Sequence, residues 1–171
     1  MSPLRKIGAA VLFAALLLSG QGCGYYSFTG ASIPDHLGTI AIPLVDDRSV
    51  STIGTLDSQM TQFLVERFVS QTRLDLEPQP ESADAVLRVT IDRYQNTPTS
   101  VSGDEQAIRN RITISATVRY EDQVENKQVL SRSFSSFEEY DPFNPSEEAV
   151  AASAVLEKLA DDIFTAATSN W

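Results

Sequence analysis

The stretch Arg109-Asn110-Arg111-Ile112-Thr113-Ile114-Ser115-Ala116-Thr117-Val118-Arg119-Tyr120 alternates apolar and polar side chains without a break from Ile112 to Tyr120. Successive side chains of an extended chain point to opposite faces. Ile112, Ile114, Ala116, Val118 and Tyr120 therefore share one face, and Arg111, Thr113, Ser115, Thr117 and Arg119 share the other. One apolar and one wet face is the pattern of an antiparallel sheet covered on a single side.

The neighbouring segments supply its partners and its cover. Ala85 to Tyr94 reads as a strand, with Leu87, Val89 and Ile91 alternating against Arg88, Thr90 and Asp92, and a polar loop follows from Gln95 to about Gln106. Another strand lies near Gln128–Phe137, where Leu130 and Phe134 are spaced by Ser131, Ser133 and Ser135. Thr39 to Val45 reads as the first strand, with Ile40, Ile42 and Leu44 on one face and Ala41 and Val45 on the other. Pro43 cannot donate to a ladder, which points to an edge or a bulge. Between them the period changes: Leu56, Met60, Phe63, Leu64 and Phe68 recur at helical spacing from Thr55 to about Ser70. Asn144-Pro145-Ser146-Glu147 is a helix start, with an Asn cap, Pro at the first helical position and Glu three residues after the cap. Ala152, Val155, Leu156, Leu159 and Ile163 continue it as one apolar stripe to about Ala167. The order is β-α-β-β-β-α, an α+β fold with two helices packed on one face of a four-stranded mixed or antiparallel sheet.

The chain has 171 residues and a formal net charge of -10, with 42% hydrophobic and 21% charged residues. These values describe a folded acidic domain and leave no excess of Lys and Arg for nonspecific nucleic-acid binding. Arg5 and Lys6 precede an apolar run from Ile7 to Leu18, followed by small residues up to Gly22, the layout of a secretory signal peptide. The run is too short for a comfortable membrane span. The lone cysteine, Cys23, follows at once. This resembles the lipobox of bacterial lipoproteins, in which the Cys is acylated and becomes the first residue, although Gly20 stands where Leu is usual. Cleavage elsewhere would instead leave a free thiol. Residues 1–22 carry two positive charges and no negative ones, so their removal takes the net charge from -10 to -12. Such a chain is not held to an anionic membrane by its own surface, and acyl chains have to do it. The expected organisation is a signal peptide over 1–22, a lipidated lead-in over 23–38 and a single α/β sandwich domain over 39–171.

Catalytic signals are weak. His36 sits in a Pro-Asp-His-Leu-Gly turn with no nucleophile beside it and reads as an exposed loop residue. Asp46/Asp47, Glu138/Glu139 and Asp161/Asp162 are sequence neighbours, and neighbours on a strand or helix point in different directions. No phosphate-binding loop, zinc spacing or nucleophile elbow is present. The reading is of a non-enzyme with no catalytic residue, no metal site and no cofactor.

The polar sheet face carries more information. It gathers Thr90, Thr113, Ser115, Thr117, Ser131, Ser133 and Ser135, with Arg88, Arg111, Arg119 and Arg132 among them. Two readings stand side by side: the ordinary wet side of an antiparallel sheet, or a low-relief surface for a polar-walled partner. The interior of a transmembrane barrel is such a wall. The four Arg can likewise grip phosphates or pair locally with Asp92 and Glu121.

The segment Gly22-Cys23-Gly24-Tyr25-Tyr26-Ser27-Phe28-Thr29-Gly30, then Ile33-Pro34, Thr39-Ile40-Ala41-Ile42-Pro43 and Arg48, resembles the start of the LPS-assembly lipoprotein family, LptE. The order of elements agrees with that family's fold. The resemblance implies an outer-membrane lipoprotein on the periplasmic side, lipidated at Cys23, that plugs a β-barrel translocon, helps it fold and helps it insert lipopolysaccharide into the outer leaflet. The implied partners are that barrel, the membrane through the lipid anchor and lipopolysaccharide, with no nucleic acid. Arg111 and Arg119, then Arg88 and Arg132, are the candidate contacts. The other reading is an accessory of a different envelope machine, such as a cell-wall synthase activator or a secretion component.

Overall fold

A computed structural model describes residues 32–100 and 108–169; the segment expected to be a signal peptide and Cys23 lie outside them. The elements are β1 (Thr39–Ala41), β2 (Asp46–Asp47), α1 (Leu56–Gln71), β3 (Asp75–Leu76), β4 (Ala85–Ser100), β5 (Ile108–Asp122), β6 (Lys127–Tyr140) and α2 (Pro145–Thr168). The α+β class and the two-helix cover are as expected. The sheet has six strands rather than four. Strands β4, β5 and β6 form an antiparallel meander, while β1 and β2 both run parallel to β4 along its outer side and β3 runs parallel to β1. The two extra strands, β2 and β3, are two residues each, too short to carry any period.

Pro43 explains why the first strand is shorter than expected. Strand β1 stops at Ala41, and the same side of β4 is taken up again by β2. The pairing slips by one residue between Ala41–Val86 and Asp46–Thr90, because Pro43 has no N–H for the ladder. Leu44 consequently turns out to solvent at 65% exposure instead of joining Ile40 and Ile42, and Val45 takes the buried place.

Strand β4 is longer than expected. It bulges between Ile91 and Arg93 and then continues through Pro98 to Ser100, paired with β5, over residues read as loop. Beyond Ile91 its outer side has no neighbour among the described residues, which makes Pro98 tolerable there. The extra residue also exchanges the faces. Tyr94 and Asn96 fall opposite Ile114 and Ile112, on the helix side, where Tyr94 Oη donates to Glu148 Oε1 (2.9 Å) and Asn96 Nδ2 donates to Tyr140 Oη (2.6 Å).

Both helices cover the Ile112–Tyr120 face. Helix α1 buries Leu56, Met60, Leu64 and Phe68, and α2 buries Val155, Leu156, Leu159 and Ile163 against Leu87, Val89, Ile91 and the apolar row of β5. Phe68 joins all three layers, its ring 6.0 Å from Tyr120 on β5 and 5.2 Å, edge-on, from Phe164 on α2. Across the outer side of the helices, Arg67 pairs with Asp161 and with Glu157 (3.2 Å). Helix α2 starts as its sequence dictates: Asn144 Oδ1 accepts from Ser146 N (3.3 Å), and Glu147 Oε2 accepts from Asp141 N (3.0 Å).

Phe68→Ala would empty the junction of both helices and the sheet. Truncations of this kind cost about 3–5 kcal/mol. Denaturant unfolding should show a loss of that size, against less than about 1 kcal/mol for truncating exposed Val150.

Candidate functional site

Among the described residues the outward face of β4–β5–β6 carries no helix, and register places its side chains in rows. From the β5–β6 turn outward these are Arg88–Arg119–Ser131, Thr90–Thr117–Ser133, Arg93–Ser115–Ser135, Gln95–Thr113–Phe137, Thr97–Arg111–Glu139 and Thr99–Arg109. The middle is a hydroxyl tract tied together laterally. Thr117 Oγ1 donates to Asp92 Oδ2 (2.6 Å) and lies 3.1 Å from Ser133 Oγ, and Ser115 Oγ donates to Ser135 Oγ (3.0 Å). The tract is rigid, flat and rich in both donors and acceptors.

The four arginine candidates have different fates. Arg88 Nη1 pairs with Glu121 Oε2 at 2.9 Å. Arg111 donates to Glu139 Oε1 through Nη2 (2.7 Å) and Nε (3.2 Å) and stacks over Phe137, 4.5 Å from its ring centre. Arg132 does not belong to this face. It is opposite Val118, on the helix side of the edge strand β6, and stacks 4.4 Å over Phe134. Sequence reading grouped it with the serines that flank it, but Ser131 and Ser133 have the opposite parity. Arg119 has no ion pair among the described residues, although Arg88 is its cross-strand neighbour. Like charges set directly opposite one another on a sheet are destabilising.

Two cations escaped the sequence reading. Strict alternation from Leu87 puts Arg93 on the apolar face; the bulge returns it to the polar face, opposite Ser115. Arg109 shares the parity of Arg111 and was legible from it. Against Arg88, Arg93, Arg109, Arg111 and Arg119 stand Asp92, Glu121 and Glu139, while Asp46 is matched by Arg48 at 2.7 Å. The face is cationic on an otherwise acidic chain. At its β5–β6 end lies a polar cleft of about 440 Å³ whose lining includes Arg88, Glu121, Asp122, Gln123, Lys127 and Gln128; among the described residues no Ser, Cys or His lines it.

At that same end His36 is exposed in its turn, as expected from sequence, and makes a long-range contact. Its Nε2 lies 2.6 Å from Oδ2 of Asp122, whose side chain is completely buried. Burial pushes the Asp122 carboxyl up, but the Glu125 N–H, His36 and the Val124 N–H together outweigh it, leaving the group below its ordinary range. The Glu125 carboxylate is the third potential ligand here, and one donor atom each from His36, Asp122 and Glu125 lie within 4.8 Å of one another. The His36 turn is held from the other side by Asp84, whose Oδ2 accepts from Gly38 N and Thr39 N, both at 2.9 Å. The Gly38 N–H is the largest cause of the lowered Asp84 pKa, aided by Thr39 and by the charge of His36 against a burial effect of opposite sign. The paired acids behave as structural groups: Glu138 meets Lys158, Glu139 meets Arg111, and Asp161 meets Arg67.

Asp84→Asn should cost about 1–2 kcal/mol, because a carboxylate accepting two backbone N–H groups becomes a neutral amide. A depressed folded pKa stabilises above the unfolded value, near 3.9, and the benefit is lost as pH falls through the folded value. Unfolding measured from pH 7 down to pH 2 should therefore show the wild-type advantage over Asp84→Asn shrinking only below about pH 4.

The model of the family described as lipopolysaccharide-assembly, LptE, matches residues 37–167. Among solved structures the chain is similar to a protein of Xanthomonas campestris from the family DUF330, with TM-score 0.56 and 11% identity over 81% of this chain and 91% of that one. It is similar to lipoprotein B of Nitrosomonas europaea, with TM-score 0.54 and 11% identity over 84% and 88% of the two chains. A hypothetical protein of Chlamydia trachomatis gives TM-score 0.53 and 13% identity over 78% and 99%. At these identities the likeness is one of fold. No curated protein matches the sequence.

Proposed function

The chain belongs to the LptE family of lipopolysaccharide-assembly proteins, and from that membership and its uncovered hydroxyl face we propose that it is an outer-membrane lipoprotein that plugs and helps assemble a β-barrel translocon for lipopolysaccharide. Cys23 carries the acyl chains, the domain faces the periplasmic side, and no reaction is catalysed. The observation that carries this reading is the tract of Thr117, Ser115, Ser133 and Ser135 left open by both helices. Short hydroxyl side chains lose little rotamer freedom on docking and can donate or accept as the wall requires. A barrel lumen offers such a polar wall.

Ser133→Trp should leave the melting temperature within about 2 °C, since exposed substitutions away from special features cost under about 0.5 kcal/mol. It should at the same time lower co-purification of the barrel from native membranes at least tenfold. Unchanged co-purification, or recovery of a soluble periplasmic enzyme instead, would remove the reading.

Lipopolysaccharide contact falls to the cations without local partners. Arg119 and Arg93 fit this better than Arg88 and Arg111, which are already engaged by Glu121 and Glu139; Arg132, on the other face, is dropped. Arg119→Glu combined with Arg93→Glu should abolish capture of lipopolysaccharide while the Arg132→Glu protein binds like wild type, read by sedimentation with purified lipopolysaccharide. Equal binding by all three proteins would exclude direct contact through this face.

A further inference from the structure

We propose that His36, Asp122 and Glu125 form a binding site for one zinc-class divalent cation, which clasps the segment leading into the domain to the β5–β6 turn. The site lies apart from the sheet face and does not depend on the function proposed above. Its three donors come from two segments far apart in sequence: His36 from the turn before β1, Asp122 from the end of β5 and Glu125 from the turn that follows. The second turn is built to present them. Asp122 Oδ1 accepts from Glu125 N (2.9 Å), and Asn126 adopts φ of 53°, a left-handed conformation that closes the turn.

Charge points to a cation. Asp122 has a fully buried side chain, and the Glu125 carboxylate stands within 4.8 Å of both other donor atoms. Among the described residues Glu125's carboxylate makes no ion pair or hydrogen bond of its own, and Asp84 adds a further negative field at His36. Two carboxylates held this close, one without access to water, repel unless positive charge sits between them. A divalent ion supplies that charge and takes the His36 imidazole as a nitrogen ligand. A divalent ion with one imidazole and two carboxylates is a neutral assembly.

The donor set selects the ion. One nitrogen and two oxygens, with a fourth position open to water, suit zinc and similar borderline cations, whereas calcium and magnesium prefer oxygen ligands in larger number. Ligand bonds of about 2.0–2.2 Å in tetrahedral geometry place donor atoms about 3.3 Å apart. The His36–Asp122 separation of 2.6 Å would open slightly, and Glu125, which is exposed, would turn inward. Neither move disturbs Asp122, which the fold holds fixed.

The test is titration of the purified full chain with zinc chloride, followed by calorimetry and by thermal unfolding. The expected result is one zinc per chain, micromolar or tighter, with a raised melting temperature. Glu125→Gln should weaken binding at least tenfold without moving the metal-free melting temperature, and His36→Gln should weaken it as well. Failure of the wild-type chain to bind zinc overturns the proposal. Undiminished binding by Glu125→Gln also overturns it, as does binding lost only in Cys23→Ser, which would assign the metal to the thiol.

Discussion

Everything in this molecule follows from the period-two alternation of β5 combined with the placement of both helices on one side of it. Tyr120, Val118, Ala116, Ile114 and Ile112 are all fully buried. Phe68 packs on that row through Tyr120 and meets Phe164 edge-on, which brings α1, α2 and the sheet to one point. Once the apolar side is sealed, the polar side has no helix or strand over it among the described residues. A register slip of one residue would turn the row inside out. The exposed hydroxyl face is thus a consequence of how the core is made.

That face is ordered by its own chemistry. Lateral hydrogen bonds among Asp92, Thr117 and Ser133, and between Ser115 and Ser135, fix the side chains before any partner arrives. Preorganised polar groups bind with less ordering cost than flexible ones. Cations at both ends, separated by about 27 Å between Arg119 and Arg111 at the rise of an extended strand, frame the neutral tract. Only some of these cations have charge to offer. Arg88 and Arg111 already serve carboxylates on adjacent strands, and the charge of Arg132 rests on an aromatic ring on the other side of the sheet.

Sequence spoke clearly where a signal was local. The alternation of β5, the 3.6-residue stripes of both helices and the Asn144-Pro145-Ser146-Glu147 start were each legible within a few residues, because their causes lie within a few residues. The misreadings in β1 and β4 trace to register, whereas Arg132 was misplaced against the plain parity of its own strand. One extra residue near Asp92 carries β4 on to Ser100 and moves Arg93 to the polar face; one residue of slack at Pro43 ejects Leu44. Strands β2 and β3 exist only because β4 and β1 offer them partners. The His36–Asp122 contact joins residues 86 apart, and no local pattern announces it. Family membership was legible from the opening motif because those residues carry the resemblance together.

Thiol labelling at a single position on the open face tests the central claim most directly. A Thr113→Cys protein should react freely with a membrane-impermeant maleimide once purified, and at least tenfold more slowly in native outer membranes, where the barrel wall covers that position. Equal labelling in both settings would contradict the proposal that this face is built to be covered by a partner.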